Sequence, residues 1–361
     1  MKNARILVWV GVLALAAAAA GQQSSAAVAT PAEPQLVILD TDIGDDIDDA
    51  FALALALRSP ELKILGITTA YGDTDLRAKL VERFLGALAE RFLNAADQRI
   101  DVVPGVPTQH DNVFTQAAYA HGRSGPLCSG PVSILFTPFT PEQADRWKRF
   151  DEQRKHHDAA GFLLDQIRAH PGEITLIAIG PLFNIQAAIE RDPATFRKLK
   201  RVVLMGGSVY RGYDGKNGER RPPDAEWNIN RDPAGAKALL ASGVPVFAMP
   251  LDSTQIHLEA AERERIFSYG APLTDQLTLL YHQWIAGTEG HPLAPTLYDP
   301  VAVTYAIRPD LCPATPLRLE VDEKGFTRPV EGAPNAQVCL KSDKAGFLEF
   351  LMGRLTGEPA H

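Results

Sequence analysis

The chain has 361 residues and a formal net charge of −8 at pH 7, a length that allows one large core or two domains. Its acidic balance argues against a nucleic acid polymer as a partner, so a small ligand is the better expectation. Three cysteines are too few for a disulfide framework, and no CxxC or Cys/His arrangement supports a zinc or thiol mechanism. Cys312 and Cys339 are open to pairing with each other, which leaves Cys128 free.

The N-terminal residues have the pattern of a secretory signal peptide. Lys2 and Arg5 precede an apolar, alanine-rich run, and Ala27-Val28-Ala29 supplies a small-x-small cleavage site. The alternative is a membrane anchor, but the strongly apolar part is shorter than the ~20 residues that cross a bilayer. We therefore predict a signal peptide over residues 1–29, a single folded domain over residues 30–361, and a periplasmic or secreted protein without membrane attachment after cleavage.

A loop rich in aspartate follows the first predicted strand. Four apolar residues, 36–39, run into it, and an apolar helix rich in Ala and Leu comes directly after it. Its six aspartates are Asp40, Asp42, Asp45, Asp46, Asp48 and Asp49. Carboxylates this dense repel one another at the end of a buried strand, and a bound cation is the simplest physical remedy. The helix macrodipole accounts for only two or three of them, and an EF-hand loop fails because Asp45 stands where that loop needs Gly.

Apolar runs of strand type alternate with helical periodicity along most of the chain, which implies a parallel sheet with right-handed crossovers. We predict strands at residues 36–39, 63–70, 100–103, 174–179, 200–205 and 244–249, and helices at residues 48–58, 76–93, 159–169, 234–241 and within 258–287. The predicted fold is a single α/β domain with a mostly parallel central sheet flanked by helices. Two later strands, 317–321 and 337–340, are expected to pair across a turn near Gly332.

Polar groups follow several of the predicted strands. They are Asp40 with Asp42, Asp73, the Ile179-Gly180 and Met205-Gly206 pairs, and Asp252. Because the carboxyl ends of parallel strands lie along one edge of a sheet, and ligands bind at that edge, we expect these groups to line one pocket.

The segment Asp40-Thr41-Asp42-Ile43-Gly44, followed by Asp48-Asp49-Ala50, resembles the N-terminal signature of the nucleoside hydrolases. These enzymes use a bound Ca²⁺ to cleave the N-glycosidic bond of ribonucleosides, and further motifs in family order extend the resemblance over nearly the whole mature chain. The resemblance implies hydrolysis of a small-molecule nucleoside, purine or pyrimidine, to ribose and free base. Family members are often oligomeric, which leaves a homo-oligomer open.

The resemblance also implies the metal ligands and the general base. Asp42, Asp49, Asp299 and the backbone carbonyl of Ile179 correspond to the family's Ca²⁺ ligands, and Asp48 corresponds to the base that takes a proton from the attacking water. Ligands that are all oxygen atoms suit Ca²⁺ better than zinc. The family's loop has one residue between Gly and Asp-Asp-Ala, whereas this chain has three, so the role of Asp46 stays open.

Ribose recognition in the family corresponds to Met205, Glu226 and Asn228 of this chain. An acid and an amide two residues apart in a loop accept and donate hydrogen bonds to a diol. This chain carries Asp73 where the family usually has an Asn that contacts the substrate, and an ionised carboxylate only accepts hydrogen bonds.

Two side chains are candidates for protonating the departing base. The family commonly has His before its late Asp-Pro motif, where this chain has Tyr298, and a phenol with a pKa of about 10 is a weaker acid than imidazolium. His121 is the other candidate, because His-Gly followed by a Gly-containing turn resembles the family loop that closes over the base.

Two other functions remain open from the sequence. The Asp40-x-Asp42 pair after a strand also resembles the haloacid dehalogenase-like phosphatases, although that family has Thr or Val where Gly44 stands and gives Asp48 and Asp49 no role. An exported protein that binds nucleosides without cleaving them would use the same pocket and metal.

Overall fold

The computed structural model describes residues 33–92, 100–109, 113–121, 158–215, 218–287 and 294–357. The predicted signal peptide and Cys128 lie outside these described residues. From Pro34 onward the described residues pack as one unit. Within the described ranges, no helix is both long enough and apolar enough to cross a membrane.

Strands and helices alternate through the first two thirds of the chain. The strands are β1 (Gln35–Thr41), β2 (Leu62–Thr69), β3 (Asp101–Pro104), β4 (Thr175–Ala178), β5 (Arg201–Met205), β6 (Val246–Met249), β7 (Ala314–Val321), β8 (Thr327–Val330) and β9 (Ala336–Cys339). The helices are α1 (Asp48–Leu57), α2 (Thr74–Phe92), α3 (Ala117–His121), α4 (Ala159–Ala169), α5 (Phe183–Arg191), α6 (Pro193–Phe196), α7 (Trp227–Arg231), α8 (Pro233–Ala241), α9 (Leu251–Thr254), α10 (Ala260–Ser268), α11 (Pro272–Gly287), α12 (Tyr298–Ile307) and α13 (Lys344–Thr356), with a 3₁₀ turn at Pro309–Leu311.

One sheet unites all of these strands, in the order β3-β2-β1-β4-β5-β6-β9-β7-β8. The first six strands pair in parallel and β9 runs parallel to β6, whereas β7 is antiparallel to both β8 and β9. The prediction of a mostly parallel sheet is therefore confirmed. The chain builds outward from β1 to β3 and then returns to the other side of β1, so the strand order reverses between β1 and β4. Ligands of open α/β sheets bind beside such a reversal.

Helix α1 is the element that carries the acidic loop into the core. Phe51, Leu53 and Leu55 are fully buried, and burial of each such side chain contributes about 1.5–3 kcal/mol. The helix packs against α12, which is also buried along most of its length. Asp48 and Asp49 begin α1, and Asp299 lies in the first turn of α12. The packing of two apolar helices thus places three carboxylates near one another.

The pairing of the C-terminal strands differs in part from the prediction. Residues 314–317 of β7 pair with β9, whereas the predicted strand 317–321 falls mostly in the second half of β7, which pairs with β8 and not with β9 as expected. The turn near Gly332 follows β8, while the hairpin between β7 and β8 turns at Asp322 and Gly325. Asp322 accepts two backbone hydrogen bonds there, and Gly325 has φ +80°. The sequence of β8 is short and contains a proline, which a strand at the edge of a sheet tolerates.

The predicted disulfide between Cys312 and Cys339 is present, with a Cα–Cα distance of 5.6 Å. It joins the segment after the 3₁₀ turn to the end of β9, and both cysteines are buried. The bond therefore fixes the antiparallel end of the sheet to the chain that leaves α12.

Replacing both Cys312 and Cys339 by serine should lower the free energy of unfolding by about 3–4 kcal/mol. The bond closes a loop with a sequence separation of 27, and the loss follows from the extra entropy that the open loop gives the unfolded chain. Urea denaturation followed by circular dichroism measures the difference. Cys128→Ser is the matched control, and a double variant as stable as that control would contradict the prediction.

Candidate active site

Four buried aspartates meet at the carboxyl edge of the sheet, beside the reversal between β1 and β4. Asp42 follows β1, Asp48 and Asp49 begin α1, and Asp299 lies in α12; none is more than 6% exposed. Carboxylate oxygens of Asp48, Asp49 and Asp299 lie within 4.8 Å of one another. Asp42 is outside that group of three, but its charge raises the pKa of Asp49 and of Asp299, so it lies close by.

Burial raises the pKa of all four carboxyls, and their mutual repulsion adds to the effect. The pKa of Asp42 rises to about 7, chiefly through burial, which outweighs the nearby Arg77 guanidinium. The pKa values of Asp48, Asp49 and Asp299 lie well above the usual range for the same first cause. A bound divalent cation reverses this balance, because it favours the ionised form of every carboxylate around it. The donor set of buried oxygen atoms therefore fits a hard cation such as Ca²⁺.

Two of the aspartates are held in defined orientations. Asp48 Oδ2 accepts hydrogen bonds from the backbone amides of Tyr298 and Asp299, at 3.1 and 3.2 Å, at the N-terminus of α12. Asp49 Oδ1 accepts a hydrogen bond from the Thr41 hydroxyl at 2.5 Å. Asp48 is thus tied to α12 and Asp49 to β1, which leaves little rotational freedom in either carboxylate.

Ile179 directly follows β4, where the backbone passes next to Asp42. The Ile179 amide donates to the carbonyl of Asp40 at 2.8 Å, which continues the β1–β4 pairing to this point. A Cβ atom added at Gly180 would lie 2.9 Å from Asp42 Oδ1. Glycine is required at position 180 because the β4 backbone passes directly against the Asp42 side chain.

Glu226 is buried beside the carboxylates and caps the N-terminus of α7. Its Oε1 accepts the amide of Asn228 at 2.9 Å, and its Oε2 accepts the amides of Gly207 and Ile229 at 2.8 and 3.2 Å. Burial raises its pKa to about 7, while these three bonds favour the ionised form. Its charge in turn raises the pKa of Asp42.

Asn228 and Met205 lie together at the end of β5. Asn228 Nδ2 donates to the carbonyl of Met205 at 3.2 Å and to that of Ile179 at 3.4 Å, and it also contacts Met205 Sδ at 3.4 Å. Asn228 therefore links the two strand ends on one side of the four carboxylates. The structure brings together Met205, Glu226 and Asn228, the three residues that the family resemblance implies for ribose recognition.

Two polar groups predicted to line the pocket have structural partners elsewhere. Asp73 is exposed, and its Oδ1 accepts the amide of Leu76 at 2.9 Å, which caps the first turn of α2. Asp252 accepts the amides of Val209 and Tyr210 at 2.9 and 2.8 Å and so anchors the loop after β5. Both carboxylates therefore hold nearby backbone segments, and the predicted ligand contact of each stays a prediction.

The two candidate acids for the leaving base lie in different surroundings. Tyr298 is half-buried at the start of α12, and burial raises its pKa, with further contributions from the charges of Asp46 and Asp48. Its ring packs edge to face against Tyr213, with centroids 6.1 Å apart. His121 ends α3 with an exposed side chain, and residues 122–157 that follow lie outside the described ranges.

Several residues that the sequence did not single out support the site. Arg77 is fully buried on α2 and forms an ion pair with Asp45, with 3.0 Å between Nη2 and Oδ2. Asn184 Nδ2 donates to Asp40 Oδ1 at 2.7 Å, and burial raises the pKa of Asp40 to about 6. The hydroxyl of Tyr213 accepts the amide of Trp227 at 2.9 Å and so orients the loop after β5. The high density of acidic side chains in the lengthened loop is the sequence signal that could have indicated a buried cation such as Arg77.

Comparison with known proteins agrees with this geometry. The profile of the inosine-uridine preferring nucleoside hydrolases matches residues 37–349. The pyrimidine-specific ribonucleoside hydrolase RihA of Citrobacter koseri is 30% identical, with 88% of this chain and 97% of the relative covered. Uridine nucleosidase 1 of Arabidopsis thaliana is 29% identical, with 88% and 92% covered.

Solved structures show the same fold. A plant nucleoside hydrolase superposes with a TM-score of 0.70 at 24% identity, covering 90% of this chain and 100% of that chain. A purine-preferring ribonucleoside hydrolase from Gardnerella vaginalis gives a TM-score of 0.67 at 24% identity, with 90% and 98% covered. With a profile match over most of its length and this arrangement of carboxylates, the chain belongs to the inosine-uridine preferring nucleoside hydrolase family.

Proposed function

We propose that this protein, a ribonucleoside hydrolase by its family, cleaves the N-glycosidic bond with a Ca²⁺ ion held by Asp42, Asp49, Asp299 and the carbonyl of Ile179. The observation that carries the proposal is the group of four buried carboxylates, whose mutual repulsion a divalent cation would relieve. The donors are all oxygen atoms, which favours Ca²⁺ over zinc.

In the proposed mechanism the chain's own residues bind ribose and move one proton. The ion, when bound, supplies Lewis-acid activation of a water molecule and contacts for the ribose hydroxyls. Asp48 takes the proton of the attacking water, and its two bonds to the α12 amides hold it in place as C1′ develops oxocarbenium character. Glu226 and Asn228 bind the ribose diol and position C1′ for attack.

The names of the relatives suggest which substrates to test first. RihA and RihB are described as pyrimidine-specific, and uridine nucleosidase 1 acts on uridine. We therefore propose uridine and cytidine as the first substrates, with inosine as the purine comparison.

The test is an assay for free ribose with purified protein and a panel of uridine, cytidine, inosine and uridine monophosphate, with and without a chelator. We expect ribose from at least one nucleoside, loss of that activity with the chelator, and its return with Ca²⁺. Saturable nucleoside binding without ribose release would instead support a binding protein. Release of phosphate from the nucleotide would support a phosphatase.

We further propose that the protein is exported to the periplasm or the medium. The predicted signal peptide and the Cys312–Cys339 bond both support this, because disulfides persist mainly in oxidising compartments. Fractionation of cells that produce the full chain tests the location, and protein found only in the cytoplasm would contradict it. A homo-oligomer stays a prediction, which light scattering of the same preparation tests.

Replacing His121 by alanine should lower uridine or inosine cleavage by about ten-fold or more, which corresponds to about 1.4 kcal/mol. The expected reason is loss of the group that protonates the departing base, since the raised pKa of Tyr298 makes its hydroxyl a poor donor. The measurement compares the nucleoside with p-nitrophenyl riboside, whose leaving group needs no proton. Equal losses on the two substrates would assign His121 to binding or loop closure and leave Tyr298 as the donor.

A further inference from the structure

The backbone of the lengthened acidic loop, residues 42–46, is hydrogen-bonded to other segments of the chain. Each carbonyl oxygen from residue 42 to residue 46 accepts a hydrogen bond from another part of the chain, either from α2 or from the segment just before α3. The bonds run from Arg77 Nη1 to Asp42 O and Ile43 O (2.9 Å to the latter), from Gln116 N to Gly44 O (3.1 Å), from Thr115 Oγ1 to Asp45 O (2.7 Å), and from Gln116 Nε2 to Asp46 O (2.7 Å). These bonds fix the backbone that connects Asp42 to Asp48 and Asp49.

Arg77 makes two of these contacts and also joins the loop to other acceptors. Its guanidinium is fully buried and also donates from Nε to the carbonyl of Tyr71 at 2.7 Å and from Nη2 to Asp45 at 3.0 Å. Tyr71 has φ +64°, a left-handed conformation that costs about 1–2 kcal/mol for a residue other than glycine. The rigid, planar fork of arginine binds several acceptors at fixed angles, which lysine does not.

We propose that Arg77 is the positioning residue for the metal site: it binds the carbonyls of Asp42 and Ile43 and thereby holds the Asp42 carboxylate toward Asp49 and Asp299. The ion pair with Asp45 anchors the two additional loop residues to the same guanidinium. This inference rests on the proposed function, because it assumes that these carboxylates bind Ca²⁺. Groups that orient metal ligands typically contribute about 10–100-fold to metal affinity.

A simpler role for Arg77 is to neutralise Asp45. The two roles differ in what a second substitution does. If Arg77 acts only as a counter-ion, then Asp45→Asn removes the need for it, and the double variant binds Ca²⁺ as well as the unaltered protein. If Arg77 acts by holding the two carbonyls, then the double variant stays as weak as Arg77→Met alone.

The experiment measures Ca²⁺ affinity by isothermal titration calorimetry on metal-stripped full chain, without substrate. We expect Arg77→Met to weaken Ca²⁺ binding by about 10–100-fold, Arg77→Lys to weaken it less, and the Arg77→Met/Asp45→Asn double variant to remain weak. The matched control is Arg83→Met. Arg83 lies on the same helix, and its guanidinium packs on the Tyr119 ring, 4.5 Å from the centroid, away from the acidic loop.

A second variant keeps the test valid if Arg77→Met does not fold. Thr115→Val removes a half-buried hydroxyl that donates to the carbonyls of Asp45 (2.7 Å) and Gly44 (3.3 Å), and it should weaken Ca²⁺ binding by a smaller factor while the protein stays folded. For each folded variant, Ca²⁺ at 100 times its Kd should raise Tm by about 4 °C, so the concentration needed for that shift reports the affinity independently.

The outcomes separate this inference from the proposed function. If the unaltered protein binds no Ca²⁺, the proposed cofactor is wrong. If it binds Ca²⁺, and folded Arg77→Met or the double variant binds within two-fold of it, Arg77 does not position the ligands. Folded Arg77→Lys and Thr115→Val that both bind as tightly as the Arg83→Met control would overturn the inference as well.

Discussion

Replacing Asp299 by alanine should abolish Ca²⁺ binding and ribose release together. Asp299 is the carboxylate that α12 contributes, and it lies within 4.8 Å of the oxygens of Asp48 and Asp49. Its removal leaves an ion with too few protein ligands, and we expect kcat/KM to fall by at least 10³-fold, or about 4 kcal/mol of transition-state stabilisation. Asp42→Ala should have the same double effect.

Calorimetry with Ca²⁺ and the ribose assay measure the two losses on the same preparation. Asp343→Ala is the matched control, because Asp343 also stands at the start of a helix, where its side chain accepts the amide of Gly346 at 3.1 Å. That control should lose about 1 kcal/mol of stability as a missing N-cap and keep its Ca²⁺. Full occupancy by Ca²⁺ in the Asp299→Ala protein would overturn the ligand assignment.

The class of fold and most of the site were predictable because they depend on local patterns and on one general rule. Alternating strands and helices imply a parallel sheet, and the carboxyl ends of its strands share an edge. Asp42, Ile179 and Met205 are far apart in sequence, yet Ile179 and Met205 end predicted strands, Asp42 closely follows one, and the structure places them together. Asp299 was predictable only through the family resemblance, since no strand leads to it.

The remaining features depend on tertiary contacts that leave no local pattern. Arg77 stands among charged residues on an amphipathic helix and would be expected in solvent; it is buried because Asp45 and the loop carbonyls lie against it. Strand β8 has a proline and only four residues, so its pairing depends on β7. Asp73 also caps the start of α2, a backbone contact that its position after a predicted strand did not indicate.

The second large effect concerns Asp48. Its carboxylate lies within 4.8 Å of those of Asp49 and Asp299, and it also accepts two backbone hydrogen bonds from α12. If Asp48 is the general base, Asp48→Asn should lower kcat by about 10²–10⁴-fold and leave Ca²⁺ affinity nearly unchanged. The amide oxygen of asparagine can accept the same two backbone amides from α12, so the shape of the site should persist. Ribose release and calorimetry again measure the two quantities separately.

Asp46 provides the comparison that shows which aspartate of the lengthened loop is the general base. It is half-buried, its Oδ1 accepts the amide of Ile47 at 2.7 Å, and its charge raises the pKa of Asp48. Asp46→Asn should therefore change kcat far less than Asp48→Asn. A large loss in Asp46→Asn alone would make Asp46 the base, whereas loss of Ca²⁺ in Asp48→Asn would make Asp48 a metal ligand. We expect neither, because the α12 amides already engage Asp48 Oδ2 and leave Asp48 one oxygen with which to accept the proton of water.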